Sequence, residues 1–469
     1  MPGIIRPMFD RIISRLLPLA LMLAFAAAAV AAPGDGMILS LDDAISLALQ
    51  NDENLKQAAA AVDGAEADVM NAGSGRLPQL SISGEYATNL KKGVMFLPPD
   101  LAAGFGGQSK IEMGRDYTFQ GAATLTFNLW TSGRLSAATG AAREMLASSR
   151  YRQDLIADGV RYQATAAYMS ALLAADNVRI AEKALDETRE ALRVARAAYE
   201  QGSSSRFDLL RSEVEVANRE APLVRVRNQF EQSLLSLGRV CGVAPGAAVS
   251  LSDTLSAVAA PDDLENLLER MRGSSPEIKA MQRQVGAARQ VVSLAKAGRG
   301  PSLQLIGNYN IQAQWDDDLA PDSNERAPSA TAALAFRMPI FDGLQAKSEI
   351  NSAAADLRIA EIELDRVTRD RDLAVRRSRL DVENARAILE GRRESVKLAE
   401  EAHRLALVRL RNGLATPLER LDAELALTES RVQLSRSLYD CNIARAALDL
   451  AVGSRMNHTA ADGAMEVSE

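Results

Sequence analysis

Two hydrophobic periods share this chain, and each marks a different kind of element. Leu80, Ile82 and Tyr86 alternate with Ser81, Ser83 and Glu85, and Leu125, Phe127 and Leu129 alternate with Thr124, Thr126 and Asn128. The two-residue period returns with Leu303, Leu305, Tyr309 and Ile311 set against Gln304, Asn308 and Asn310, then with Leu334, Phe336, Met338 and Ile340. A period of two gathers apolar side chains on one face of a strand, so four strands are predicted. Elsewhere the spacing is 3-4-3-4: Val178, Ala181, Leu185, Thr188, Leu192, Ala195 and Tyr199; Phe207, Leu210, Val214, Ala217, Ala221 and Val224; Leu418, Leu421, Leu425, Thr428 and Val432. That spacing is a coiled-coil seam and predicts helices packed lengthwise. No proline interrupts residues 134–200 or 345–412, and at ~1.5 Å per residue each segment reaches about 100 Å.

These elements occur twice. Lys56, Pro78, Gly84 and Tyr86 recur as Lys279, Pro301, Gly307 and Tyr309, all 223 positions on. Trp130, Gly202 and Gly242 correspond to Phe341, Gly413 and Gly453 at an offset of 211. The difference of 12 is one longer loop between Tyr86 and Trp130. Each copy reads as helix, strand, loop, strand, very long helix, turn, helix. The first helix of each copy spans about 41–74 and 264–297, and the last about 205–241 and 417–452. Pro78 and Pro301 stand where the first helix must stop.

The strands carry the apolar-out, polar-in alternation of a transmembrane barrel, with Tyr86, Trp130, Tyr309 and Phe341 as membrane-interface aromatics. A half-buried soluble hairpin has the same alternation. Four strands alone would leave unpaired edges in lipid, so the barrel reading demands several chains, and three would supply twelve strands. A solid helical bundle and a hollow tunnel likewise share one periodicity.

The N-terminus adds a compartment. Arg6, Arg11 and Arg15 precede the apolar run from Leu16 to Ala32, which contains the small-residue site Ala29-Val30-Ala31. This is the layout of a secretory signal peptide, residues 1–31; the run is short of the ~20 residues a membrane anchor needs. Without those residues the chain keeps 51 basic and 60 acidic side chains, a formal charge of −9. Hydrophobic residues make up 47% but aromatics only 4%, so alanine-rich helix packing replaces an aromatic core. Basic patches interleaved with aromatics are missing, which argues against nucleic acid. Two cysteines, Cys241 and Cys441, and two histidines, His403 and His458, offer no metal or catalytic constellation. No enzyme activity and no cofactor is expected.

Taken in order, LWTSGR from Leu129, YEQGSSSRFDLL from Tyr199, IFDG from Ile340 and LRNGLATPLERLD from Leu410, with the duplicated helix-proline-strand unit, resemble the TolC-like outer-membrane efflux (outer membrane factor) family. The resemblance covers essentially the whole mature chain. It implies a mainly α fold with a small β part: a homotrimer with one twelve-stranded barrel in outer-membrane lipid and a helical coiled-coil tunnel in the periplasm. The implied role is a passive channel of a tripartite efflux pump or type I secretion system, exporting small molecules or proteins. Its partners would be a periplasmic adaptor (membrane fusion) protein and an inner-membrane RND or ABC transporter. The resemblance also implies that Tyr199, Gly202, Asp208, Leu410 and Gly413 belong to tip turns that meet the adaptor. Glu419 and Asp422, six and nine residues after Gly413, would form the periplasmic gate ring. They lie three apart on one helix face. The alternative is an ordinary acidic first helical turn, which the helix dipole favours. Where the family's locking bonds use an aromatic and an arginine, this chain has Leu410 and Ala415, and Arg409, Arg411 and Arg420 stand by as other partners.

The expected organisation is therefore a signal peptide (1–31), a first efflux repeat (37–246), a second (262–453) and a disordered tail (454–469). The alternative is a periplasmic coiled-coil adaptor or scaffold protein of an export system. Such a protein would carry one hairpin between compact β-domains, not two hairpins with membrane-type strands.

Overall fold

The structure, a computed structural model, describes residues 37–98, 104, 110–244, 248–316, 321 and 325–453. The expected signal peptide and tail lie outside the described residues. In chain order the elements are β1 (Met37–Leu39), α1 (Leu41–Asn51), α2 (Glu53–Ser74), β2 (Gln79–Thr88), β3 (Gly93–Phe96), β4 (Lys110–Met113), β5 (Tyr117–Trp130), α3 (Arg134–Glu200) and α4 (Arg206–Cys241). There follow β6 (Val249–Leu251), α5 (Leu264–Ser274), α6 (Pro276–Ala297), β7 (Ser302–Trp315), β8 (Arg326–Arg337), α7 (Gln345–Arg411) and α8 (Pro417–Val452). The helices of the two halves match in length: 11, 22, 67 and 36 residues in each.

The first helix of each half is broken where one continuous helix was expected. Asp52 leaves the helical region at ψ 129° and its side chain accepts the Leu55 amide, so it caps a new helix. In the second half Pro276 occupies the first position of α6 and forces Ser275 out to ψ 117°. A capping residue and a proline decide the break, which an apolar pattern does not register.

Helix α3 packs along α4, and α8 along α7; α3 also meets α8, so the order across the lower part is α4, α3, α8, α7. Above, α2 lies on α3, and α6 lies between α3 and α7. Two short helices end to end thus flank each long one. Charge pairs hold the hairpins in register. Arg196 meets Glu213 at 3.2 Å, Arg189 meets Glu220 at 3.0 Å and Arg227 meets Glu182 at 2.6 Å, each seven residues from the next. In the second hairpin the polarity is reversed, with Arg431 on Glu400 at 3.1 Å. Pairing α3 with α8 in place of α4 in the same register would therefore set Arg189 against Arg431. Each exposed pair is worth only about 0.2–1 kcal/mol, but the swap penalises the wrong partner as well as favouring the right one.

The α4 seam does not lie where the sequence placed it. Phe207, Leu210, Val214 and Val224 point away from α3 and are exposed, Phe207 at 70%. Contact with α3 uses a parallel stripe that includes Leu209, Leu223, Ser233 and Leu237. Helix α4 has two apolar stripes, and periodicity alone cannot say which one a given neighbour takes.

A belt closes the middle of the molecule. Strands β1 and β6 pair in parallel, Met37 to Val249 through Leu39 to Leu251, an element that three-residue strands gave no means of predicting. Beneath them lies fully buried Tyr168 of α3, whose hydroxyl is 2.9 Å from the Leu39 carbonyl and 2.8 Å from Asp253 Oδ2. The same carboxylate oxygen accepts the Leu41 amide at 2.9 Å. Burial, then the Asp253 bond, pushes the Tyr168 hydroxyl up to about 12.

Replacing Tyr168 by Phe strips this junction of its donor and should cost about 1–3 kcal/mol, read as a lower thermal unfolding temperature by circular dichroism. Because the folded hydroxyl titrates above the unfolded one, its contribution is complete below pH 10 and fades as pH rises toward about 12. The gap between wild type and Y168F should close over that interval; a gap that stays constant would refute the assignment.

Candidate functional site

Two places gather the residues singled out by sequence: a sheet at one end and two helical turns at the other. The sheet is antiparallel in the order β2-β5-β7-β8. Its register pairs Leu80 with Leu125, Ile82 with Ala123 and Tyr86 with Phe119. Across the next two ladders Leu125 faces Gly307, Phe127 faces Leu305, and Leu305 and Leu303 face Leu334 and Phe336. One face of all four strands is therefore apolar and exposed, Ile82 at 81% and Phe336 at 65%. The opposite face carries Ser81, Ser83, Thr124, Thr126, Asn308, Asn310, Thr331 and Ser329 in register. Such pairing converts four separate alternations into one two-sided wall.

The wall is tied to the helices by polar contacts. Asn128 Nδ2 donates to the Gly75 carbonyl at 2.8 Å, Gln304 Nε2 to Asn128 Oδ1 at 3.2 Å, and Ser132 Oγ to the Pro301 carbonyl at 2.6 Å. Ser132 comes so close to Gly300 that a Cβ there would stand 2.3 Å from it, so only glycine fits.

The aromatics sort by height. A bulge between Asn128 and Trp130 sets Trp130 opposite Leu303, on the apolar face at the helix end of the sheet. At the far end Tyr86, Tyr117 and Trp315 form a cluster with ring centroids 5.8–6.2 Å apart. Sequence reasoning missed Tyr117 and Trp315, although both end strands with the right parity. Tyr309 pairs with Ala123 and Ala330 in mid-strand; two-residue alternation fixes the face of a side chain and not its level. Phe341 lies beyond β8, which ends at Arg337 short of Pro339. Met338 and Ile340, expected in the strand, fall outside it for the same reason. Past the cluster, ion pairs join the outer loops of both halves: Lys92 to Asp116 and Asp316 at 3.1 Å each, and Arg115 to Glu325 at 2.5 Å.

At the opposite end both turns repeat one geometry. Gly202 (φ +72°) and Gly413 (φ +69°) follow α3 and α7 in the left-handed conformation. The Ser203 amide donates to the Ala198 carbonyl and the Leu414 amide to that of Arg409, at 2.9 and 2.8 Å. The Gly202 and Gly413 amides donate to the carbonyls of Tyr199 and Leu410. Ser205 and Thr416 then cap α4 and α8, each in a reciprocal box with Asp208 or Glu419. The Ser205 hydroxyl holds the Asp208 carboxyl below its usual range. Glu419 lies 3.8 Å from Arg409, whereas Arg420, a possible partner by sequence, turns instead to Glu424 at 2.6 Å. Asp422 is exposed, with no ion pair to any described residue. Among the described residues no helix is long and apolar enough to cross a membrane, and no group of three or more acidic, histidine or cysteine side chains could hold a metal.

A sequence model of the outer membrane efflux protein family matches residues 44–243 and 267–454, most of the chain. The chain belongs to that family. Similar curated proteins include protein CyaE of Bordetella pertussis (26% identical, 74% of this chain and 70% of that one), outer membrane protein TolC of Vibrio cholerae (23%, 88% and 91%) and the cobalt-zinc-cadmium resistance protein CzcC of Cupriavidus metallidurans (23%, 88% and 90%). Among solved structures, the outer membrane protein VceC of Vibrio cholerae superposes with a TM-score of 0.68 at 20% identity over 88% of this chain and 96% of that one. The open MtrE channel of Neisseria gonorrhoeae gives 0.70 at 17% over 88% of each. The fold is that of outer-membrane efflux channels, mainly helical with a small sheet, and the family resides in the outer membrane.

The capping boxes define a first test. Thr416→Ala removes the acceptor for the Glu419 amide and should cost about 1 kcal/mol of local helix stability. Amide exchange in the first turn of α8 should accelerate about fivefold, with exchange at Tyr168 unchanged.

Proposed function

We propose that the chain is one subunit of a passive homotrimeric channel, its two halves arising from duplication of one unit (37–246 and 262–453). The observation that carries this is a pair of unsatisfied edges at the two margins of the four-stranded sheet. Strands β2 and β8 have no partner on their outer sides among the described residues, and in hydrocarbon each unpaired backbone group costs several kcal/mol. Helices α4 and α7 are the lateral edges below. Each shows an exposed apolar stripe: Phe207, Leu210 and Val214 on one, Leu373, Leu380 and Leu398 on the other. Setting β8 and α7 of one copy against β2 and α4 of the next satisfies both at once, and three copies close a twelve-stranded ring. A helix with partners on two sides needs two stripes, as α4 has, which favours a hollow ring over a solid bundle.

The polar face of the sheet then lines an aqueous path, and the helices continue it through the periplasm. The Gly202 and Gly413 turns form the far mouth, where Tyr199, Asp208 and Leu410 would meet a periplasmic adaptor that links an inner-membrane RND or ABC transporter. Glu419 and Asp422, repeated by symmetry, place six carboxylates about the axis and favour cations there. Relatives named for protein secretion, pyoverdine export and metal resistance support one conduit serving different pumps.

Arginine at Leu334 or Ile82, on the lipid-facing side, should cost about 2–4 kcal/mol and deplete the heat-sensitive trimer from outer membranes. Arginine at Thr331, on the opposite face, should leave trimer yield intact. Equal depletion at all three sites would overturn the barrel. For the gate ring, Glu419→Gln/Asp422→Asn should reduce cation over anion selectivity in planar bilayers; an unaltered reversal potential removes these residues from the constriction.

A further inference from the structure

Packing ends abruptly above the helical tips. Going down α3, the last fully buried side chain is Thr188; going up α8 from its cap, the first is Glu424, at 2% and 1% exposure. These two touch. Thr188 Oγ1 is 3.0 Å from Glu424 Oε1, and the other carboxylate oxygen takes Arg420 Nη1 at 2.6 Å. Just above, α3, α4 and α8 border an open pocket of about 600 Å³ lined by apolar and polar side chains alike, Ile180, Ala184 and Val226 beside Asn177, Asn218 and Arg219. The lowest buried contact in the joint between the two halves is therefore a polar, charged one.

A buried ion pair is a poor choice for maximal stability, because desolvating both charges offsets their attraction, and apolar side chains of similar volume hold as well or better. It has a different property. When the surfaces part, carboxylate and guanidinium stay together on α8, four residues apart, and regain water, while Thr188 keeps the Ala184 carbonyl at 2.8 Å as an acceptor for its proton. Breaking this contact strands no polar group, so it can break and re-form.

We propose that Glu424 is a positioning residue for the periplasmic mouth: its bond to Thr188 sets α8 against α3 and is the contact that yields when the mouth widens. Glu424 follows Glu419 and Asp422 by five and two residues on the same helix, so its seating places their carboxylates. The equivalent residue of the first half, 211 positions earlier, is Glu213, which pairs within its own hairpin with Arg196. The second half has Leu407 where Arg196 stands; Glu424 is thus left to reach across to the other half. This inference rests on the reading of the tips as the channel mouth.

The test measures single-channel conductance and open occupancy of the purified trimer in planar bilayers. Thr188→Val, which keeps the side-chain shape and removes the donor, and Glu424→Gln should each shift the closed-to-open ratio toward open by about tenfold, roughly 1.4 kcal/mol, with Thr188→Ser restoring the wild-type value. The triple variant T188V/R420M/E424M, which replaces the polar joint by an apolar one, should shift the ratio the opposite way while the trimer's heat stability is kept or raised. A purely structural role would lower stability in every variant and separate none of them by conductance. If T188V and the triple variant both conduct like wild type as intact trimers, the proposal is wrong. If the Glu419→Gln/Asp422→Asn ring variant still alters selectivity in that case, the mouth reading survives without the joint; if it too is silent, the mouth reading fails with it.

Discussion

The structure is governed by backbone groups that have nowhere to go. Each ladder inside the four-stranded sheet satisfies its own amides and carbonyls, but the outer sides of β2 and β8 do not. In water such edges cost little; in hydrocarbon they are prohibitive. On the proposed reading, a chain with four strands whose apolar face is open along its length is incomplete by itself, and what completes it must offer the same edges in complementary order. A second copy of the same chain does so with no new sequence information.

The helices obey the same demand by a different route. Their backbone bonds are internal, so what needs a partner is the side-chain stripe, and a helix in a ring needs one stripe per neighbour. Equal helix lengths of 67 and 36 residues in both halves keep the sheet level and the tips level around such a ring. Hairpins of equal length create a hazard in turn, since each could pair with the other's helices. The reversed pairs Arg189–Glu220 and Glu400–Arg431 answer that hazard at equivalent positions.

Much of this was legible in the sequence, for physical reasons that also mark its limits. Long helices, their turns and the strand faces follow from periodicity, from the left-handed glycines at 202 and 413, and from prolines, all local properties. The breaks at Asp52 and Ser275 are equally local, yet a capping aspartate and Pro276 were submerged in a continuing apolar pattern. What escaped was non-local. Strands β1 and β6 are three residues each and pair above the contact of Tyr168 with Asp253, 85 positions apart. The level of Tyr309 in the sheet, the neighbour taken by the Phe207 stripe and the true partner of Arg420 all depend on register between elements distant in the chain. Candidate gate residues came from a motif at one turn, whereas Glu424, five residues beyond Glu419, became visible only through its burial.

Stability and motion are distributed along the same axis. At mid-height the belt is over-determined: Tyr168, Asp253 and the Leu39 carbonyl share hydrogen bonds beside an apolar cluster that includes Leu39, Leu172 and Leu237, and both thiols lie buried, Cys241 pushed up to about 11 by desolvation. Below Thr188 and Glu424 the hairpins carry no fully buried side chain among the described residues. Local opening is cheapest where buried contacts are fewest, so the tips can rearrange while the belt and the sheet stay fixed. A passive conduit needs that division. In the proposed assembly the barrel must never open to lipid, and the far mouth must respond to a docked partner using only its binding energy. A polar joint at the boundary between the two regimes keeps the cost of that response within reach of a docking interface, which an apolar seam of the same area would raise.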